Sequence, residues 1–167
     1  SRMSIAEGES SNWVQDTRTA ELAVVDTSDP ARDRVVVIPQ KLLRRGGRIS
    51  SPELPFDLEV ATGGFMVNAD IREARGGESN PSTAGLGTSR IAKALPEETG
   101  ERIDLPGLHA ALLEKGSGRV LGTYLFSVLF SLDGAGAQRV EAGGKAVDVS
   151  LRFKRTYKPY TLFLRDF

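Results

Sequence analysis

The sequence predicts a mainly β fold: an antiparallel sandwich or partly open barrel with one short helix and long loops. Three observations carry this expectation. Short apolar and β-branched runs alternate with polar positions. Eighteen glycines and eight prolines punctuate the 167 residues, which favours short strands over long helices. No heptad or internal repeat runs through the chain. A chain of this length buries a real core, and a single domain spanning 1–167 is the simplest division.

The elements follow in order. ELAVVD, Glu21 to Asp26, is apolar and β-branched and stops at the turn-forming TSDPARD, so it reads as a strand and a surface turn. RVVVIP is a second strand. PQKLLRRGG then carries helix start and stop signals: Pro39 suits the first helical position, Arg44 and Arg45 sit near the C-terminal dipole, and Gly46 supplies a left-handed cap. These signals predict a helix of about two turns. LPFDLEVA, Leu54 to Ala61, alternates with Leu54, Phe56, Leu58 and Val60 on one face and Asp57 and Glu59 on the other, as a half-buried strand does. After Gly63 and Gly64, FMVNADI continues as another strand.

The tract from Arg72 to Arg90 has no sustained apolar period and is dense in Gly, Ser and Thr, so it is expected to be a mobile loop. HAALLE and RVLGTYLFSVLFSL flank KGSG and read as the two strands of a hairpin. GLHAALLEKG also fits a helix capped by Gly116, but the strand reading is preferred. AGGK after Glu141 is a further glycine turn. AVDVSLRF then alternates into the closing segment, where Pro159 divides the run because it lacks the donor a central strand needs.

Twenty-two basic residues balance twenty-two acidic ones, so no global field draws the chain to nucleic acid or anionic lipid. The charges are nonetheless unevenly placed. Ser1 to Asp33 holds seven carboxylates against three cations, and Ser150 to Phe167 holds five cations against Asp166 alone. The simplest expectation is that the two ends attract each other within the molecule. There is no cysteine, hence no disulfide, thiolate ligand or thiol nucleophile in this segment. No apolar run approaches the roughly 20 residues that span a bilayer. Met3 lies behind Ser-Arg and the sequence stops on an apolar strand pattern, so a piece of a longer chain is expected.

Enzyme chemistry finds no recognisable seat. GLGTSR at Gly85 lacks the third glycine of a nucleotide fingerprint and follows a loop rather than a strand. Around Lys145, Ala146 replaces the hydroxyl residue of a phosphate loop and Arg139 replaces its first glycine. No GxSxG elbow is present, and Glu97 and Glu98 lie in a polar loop where solvated charge is the simpler role. A non-catalytic domain is therefore expected. His109 is the sole histidine, so sites with two or three histidines cannot be built from one chain. As a haem ligand it would offer one imidazole, paired with Met3 or Met66; as a structural residue it would sit wet or hydrogen-bonded at a strand entrance.

The closing stretch LRFKRTYKPYTLFLRDF sets four cations and three aromatic rings between Leu151 and Tyr160. Alternation places Leu151, Phe153 and Arg155 on one face and Arg152, Lys154 and Thr156 on the other, which predicts a basic outer row on a self-protecting edge strand. On that reading Phe153, Tyr157 and Phe163 are core. The alternative is a β-module that binds single-stranded nucleic acid or oligosaccharide through this basic and aromatic strand pair. The neutral overall charge weighs against nucleic acid, which is not expected as a partner.

SLRFKRTYKPYTLFLRDF also closely resembles the strand motif of ResB-like proteins (cytochrome c biogenesis protein ResB), in which a run of the type LRFKRxYKPYxxxLxDF recurs. RMSIAEGESSNWV resembles the opening of that family's soluble domain, DPARDRVVVIPQKLLRRGGRISSPELPFDLEV its early strands and short helix, and LGTYLFS the strand before the final pair. The likeness covers most of the chain, with Arg72 to Gly107 matching least.

The resemblance implies a domain on the extracytoplasmic (periplasmic) side of the cell membrane, held there by flanking helices that this segment lacks. It implies work with a CcsA-type membrane partner to deliver haem to apocytochrome c, the domain itself serving as a scaffold. No cofactor is expected in the isolated domain, with haem possible in the full complex. Some members carry a cysteine here that is thought to contact haem; this chain has none, so any contact is non-thiolate or lies elsewhere. The candidate partner-binding residues are Arg152, Lys154, Arg155, Tyr157, Lys158 and Tyr160, available for edge docking or for bonds to haem propionates. His109 is the candidate haem ligand.

Overall fold

A computed structural model describes residues 4–8 and 13–157. In chain order these form β1 (Ser4–Gly8), β2 (Trp13–Asp26), β3 (Asp33–Pro39), α1 (Gln40–Arg45), β4 (Gly47–Ile49), β5 (Asp57–Val60) and β6 (Phe65–Met66). They continue with β7 (Asn68–Glu73), β8 (Arg90–Leu95), β9 (Gly107–Leu113), β10 (Val120–Ser127), α2 (Val128–Leu132), β11 (Gln138–Ala142) and β12 (Lys145–Tyr157). A 3-10 turn, Gly85–Thr88, lies between β7 and β8.

Two antiparallel sheets make the body of the fold. The first has the order β1-β3-β2-β12-β11; the second runs β10-β9-β5-β4, with β6 also paired to β9. Leu22, Val24, Ile38, Val149 and Leu151 of the first sheet share one core with Leu58, Leu108, Leu112 and Phe126 of the second. The fold is therefore sandwich-like, with no closed barrel among the described residues. Each fully buried leucine here contributes about 2 kcal/mol of apolar transfer. Strand alternation decides which residues enter: Leu54, Phe56, Leu58 and Val60 are all buried, as their spacing predicts.

The helix PQKLLRR forms as expected, with Leu42 and Leu43 buried and the Gly46 amide donating to the Leu42 carbonyl at 3.2 Å. Pro39 sits one place earlier than predicted, as the extended N-cap. Gly46 has φ +74°, open to glycine alone without strain, and a Cβ there would press on the Val60 carbonyl. The β9–β10 pair confirms the strand reading of HAALLE, since five of its residues, His109 to Leu113, are in register with β10.

Several expectations are corrected. A second helix, α2, ends the run RVLGTYLFSVLFSL, because Ser127 caps it through its hydroxyl, which accepts from the Leu129 amide at 3.0 Å. FMVNADI is two strands: β6 pairs with β9 while β7 turns away to form a ribbon with β8. The tract 72–90 is tied down rather than loose. Thr83 and Ala84 amides donate to the Thr123 carbonyl, the Leu86 amide donates to Gln138, and Arg72 bonds Glu78. Leu86, Ile71 and Ala92 pack with Met66, Leu125 and Phe130 over the outer face of the second sheet.

Candidate functional site

The long pair β2–β12 carries the predicted site residues. β12 has β11 on one side over Lys145–Val149 and β2 on the other from Asp148 onward, and beyond Val149 β2 alone among the described strands pairs with it. Arg152, expected in a basic outer row, is buried instead. Its Nε donates to Glu21 Oε2 at 2.9 Å, with both side chains less than a tenth exposed. A charged residue on the polar face of a strand tolerates burial when the neighbouring strand presents the opposite charge. The expected attraction between the two chain ends is thus realised across this pair by Arg152 and Glu21.

Beyond Phe153 the pair changes character. Phe153 lies opposite Ala20, but Lys154 lies opposite Asp16, so Thr17, Arg18 and Thr19 bulge from β2. Gln40 at the start of α1 accepts the freed Ala20 amide at 2.7 Å, and Asp16 accepts both the amide and the Nε of Arg18. The Arg18 amide bond, its guanidinium and then Lys154 hold the Asp16 carboxyl below its ordinary value.

Past the bulge, residues 13–16 and 154–157 form a two-stranded ribbon that outruns its neighbours. β3 reaches β2 only at Glu21–Asp26, and β11 reaches β12 only as far as Val149. One face of the ribbon carries Arg155, Tyr157 and Trp13, with the Arg155 guanidinium 4.1 Å from the centre of the Trp13 ring. Such a stack contributes about 0.5–1 kcal/mol in a partly exposed setting. The other face carries Lys154, Thr156, Asp16 and Val14, and Val14 is 46% exposed.

The structure thus gathers Lys154, Arg155 and Tyr157 on one projection and removes Arg152 into the sheet. Phe153 is core as expected, whereas Tyr157 is half-buried on the ribbon. Lys158, Tyr160, Pro159 and Phe163 lie outside the described residues. Trp13 was not anticipated; its signal was its uniqueness as the only tryptophan and its place in the acidic segment that the basic one must meet. On the face of Trp13 that Arg155 covers, a nucleobase or sugar ring would have to displace the guanidinium.

His109 does not sit at a strand entrance. It lies within β9 opposite Leu125, half-buried, and its backbone amide donates to the Gly64 carbonyl at 2.9 Å. Burial pushes the imidazole below its ordinary pKa of 6.5 by penalising the cation. Met66 is packed with Leu125, Ala69 and Phe130 on the same side of the sheet. Two axial ligands must approach an iron from opposite sides of the porphyrin, and neighbours on one packed sheet face leave no room for that plane. His109 and Met66 therefore do not fit an axial pair; Met3 lies outside the described residues. Among the described residues no group of three or more His, Cys, Asp or Glu side chains is placed to hold a metal ion. Nor is any described helix long and apolar enough to cross a membrane.

Elsewhere, Asp57 departs from its expected solvent-facing role. It is buried on the outer side of β5, accepting from Ser50 Oγ at 2.6 Å and from Arg48 and Lys115 at 3.1 Å. A cleft of about 480 Å³ separates Glu114, Arg119 and Leu121 from Glu141 and Lys145, away from the ribbon. Its Glu114 and Arg119 pair with each other. No protein-family model, curated protein or solved structure matches this chain.

Proposed function

We propose that the domain is a non-catalytic docking platform of a ResB-like cytochrome c maturation apparatus, held on the extracytoplasmic side of the membrane by helices outside this segment. Its β2–β12 ribbon meets the CcsA-type membrane partner and so assists haem delivery to apocytochrome c. The observation that carries this reading is the projection itself: a two-stranded ribbon, flanked by no other described strand, that carries Lys154 on one face and the Arg155–Trp13 stack with Tyr157 on the other. The resemblance of the same stretch, SLRFKRTYKPYTLFLRDF, to the ResB-like strand motif supplies the setting. A two-layer β body supports it physically, because docking needs a surface of fixed shape and little ordering on contact.

The test uses the full-length protein in its membrane with the partner present. A photo-crosslinking residue at Lys154 is expected to capture the membrane partner, and one at Arg139, on the far strand β11, is not. Capture from Arg139 alone, with cytochrome c maturation unchanged by combined alanine substitution of Lys154, Arg155 and Tyr157, refutes the reading. A haem titration followed at the Soret band, on the wild type and on His109→Ala, tests the separate ligand role. An unchanged spectrum in the variant clears His109.

A further inference from the structure

We infer that the free edge of β12, from Phe153 to Tyr157, receives an extended acidic segment of the partner protein as an added strand. The inference rests on the docking reading of the ribbon and names the chemistry of what docks.

The edge is identified by its hydrogen bonds. β11 pairs with β12 only through Val149, and beyond it the Ser131 hydroxyl of α2 donates to the Leu151 carbonyl at 2.9 Å. That bond marks the side on which Leu151 turns its backbone away from β2. Alternation along β12 then sends the N–H and C=O groups of Phe153, Arg155 and Tyr157 to the same side, where no described strand pairs with them. An unpaired strand edge is a template for an incoming strand.

The side chains specify the acid. Four buried polar atoms lack a partner among the described residues: Trp13 Nε1, Ser82 Oγ, Arg152 Nη2 and Arg155 Nε. Three of the four lie on the β2–β12 pair, and all three are N–H donors with no capacity to accept. Two of them, Trp13 Nε1 and Arg155 Nε, lie on the ribbon, and since native structures rarely leave such donors unmet the ribbon is short of acceptors; Arg152 Nη2 lies within the sheet. Charge agrees. Lys154 faces Asp16, which Arg18 already engages, and Arg155 makes no ion pair among the described residues. Haem propionates would also bring carboxylates, but they offer no backbone to the edge.

The purified 167-residue chain is titrated with a tagged synthetic peptide alternating Glu and Val, with a Lys/Val peptide as control. The Glu/Val peptide is expected to bind, more weakly as salt rises, and Arg155→Glu to weaken it about tenfold. Tyr157→Pro removes one edge N–H and is expected to weaken binding further than Tyr157→Val, which loses the side chain alone and keeps that N–H. On binding, amide exchange slows at residues 153, 155 and 157 and is unchanged at 152, 154 and 156. Failure of the Glu/Val peptide to bind, equal binding of the Lys/Val peptide, or protection without that alternation overturns the inference. So does protection of these amides by haem and not by the peptide. If the peptide fails while Lys154 still captures the membrane partner, the added strand is wrong and docking stands; loss of capture as well removes both.

Discussion

Replacing Asp57 by asparagine tests whether the ion cluster on the outer side of the second sheet stabilises the fold through charge. The Ser50 hydroxyl first, then Lys115 and Arg48, hold the Asp57 carboxyl down at about 2 against the opposing effect of burial. A depression of that size from the ordinary 3.8 corresponds to about 2 kcal/mol of folding stability at neutral pH. Because the folded value lies below the unfolded one, the contribution is complete above about pH 4 and is lost as pH falls through about 2. The loss on substitution stays near this figure because neither cation is stranded. Lys115 keeps its bond to the Ser51 carbonyl at 2.9 Å, and the Arg48 side chain is already 50% exposed. Urea unfolding of wild type and Asp57→Asn is measured at neutral pH and again at about pH 2. The variant is expected to be about 2 kcal/mol less stable at neutral pH and to converge with wild type in acid. An equal gap at both pH values would show that the cost is one of packing, and the electrostatic account would fail.

Three further outcomes follow from the same structure. Arg152→Leu leaves the Glu21 carboxylate buried without its cation and is expected to cost about 3–5 kcal/mol in urea unfolding. Adding Glu21→Leu should recover most of that loss, and a double variant as unstable as the single one refutes the pairing. Gly85→Ala forces a side chain into φ +68° and against Gln138 and Tyr124. It should cost about 1–3 kcal/mol and speed amide exchange at Leu86, whose amide Gln138 accepts at 2.9 Å; unchanged exchange there counts against the pin. An NMR titration of His109 is expected to give a pKa below 6.5. The associated stability is complete above 6.5 and declines as pH falls below it, because the unfolded imidazole protonates first. A value at or above 6.5 contradicts the burial of the ring.

Of the candidate site, Lys154, Arg155 and Tyr157 were legible from local composition, since cations interleaved with aromatics stand out within ten residues. Arg152 was misread for a definite reason. On the polar face of a strand, an arginine in water and an arginine against a cross-strand carboxylate have the same local sequence, and Glu21 is 131 positions away. The bulge at Thr17–Thr19 was out of reach likewise, because it depends on which residues of β2 meet β12.

What the sequence determined alone is the set of local conformations. Alternation fixed the buried faces of Leu54 to Val60 and Val147 to Phe153, proline and glycine bounded the helix at Gln40–Arg45, and opposed charges drew the chain ends together. Only the tertiary structure decided which strands stand side by side, hence which are edges, and where the tract 72–90 is pinned to Thr123 and Gln138. The physical reason is range. A side-chain period of two is imposed by each residue's own backbone, whereas a sheet neighbour is chosen by contacts formed across the whole core.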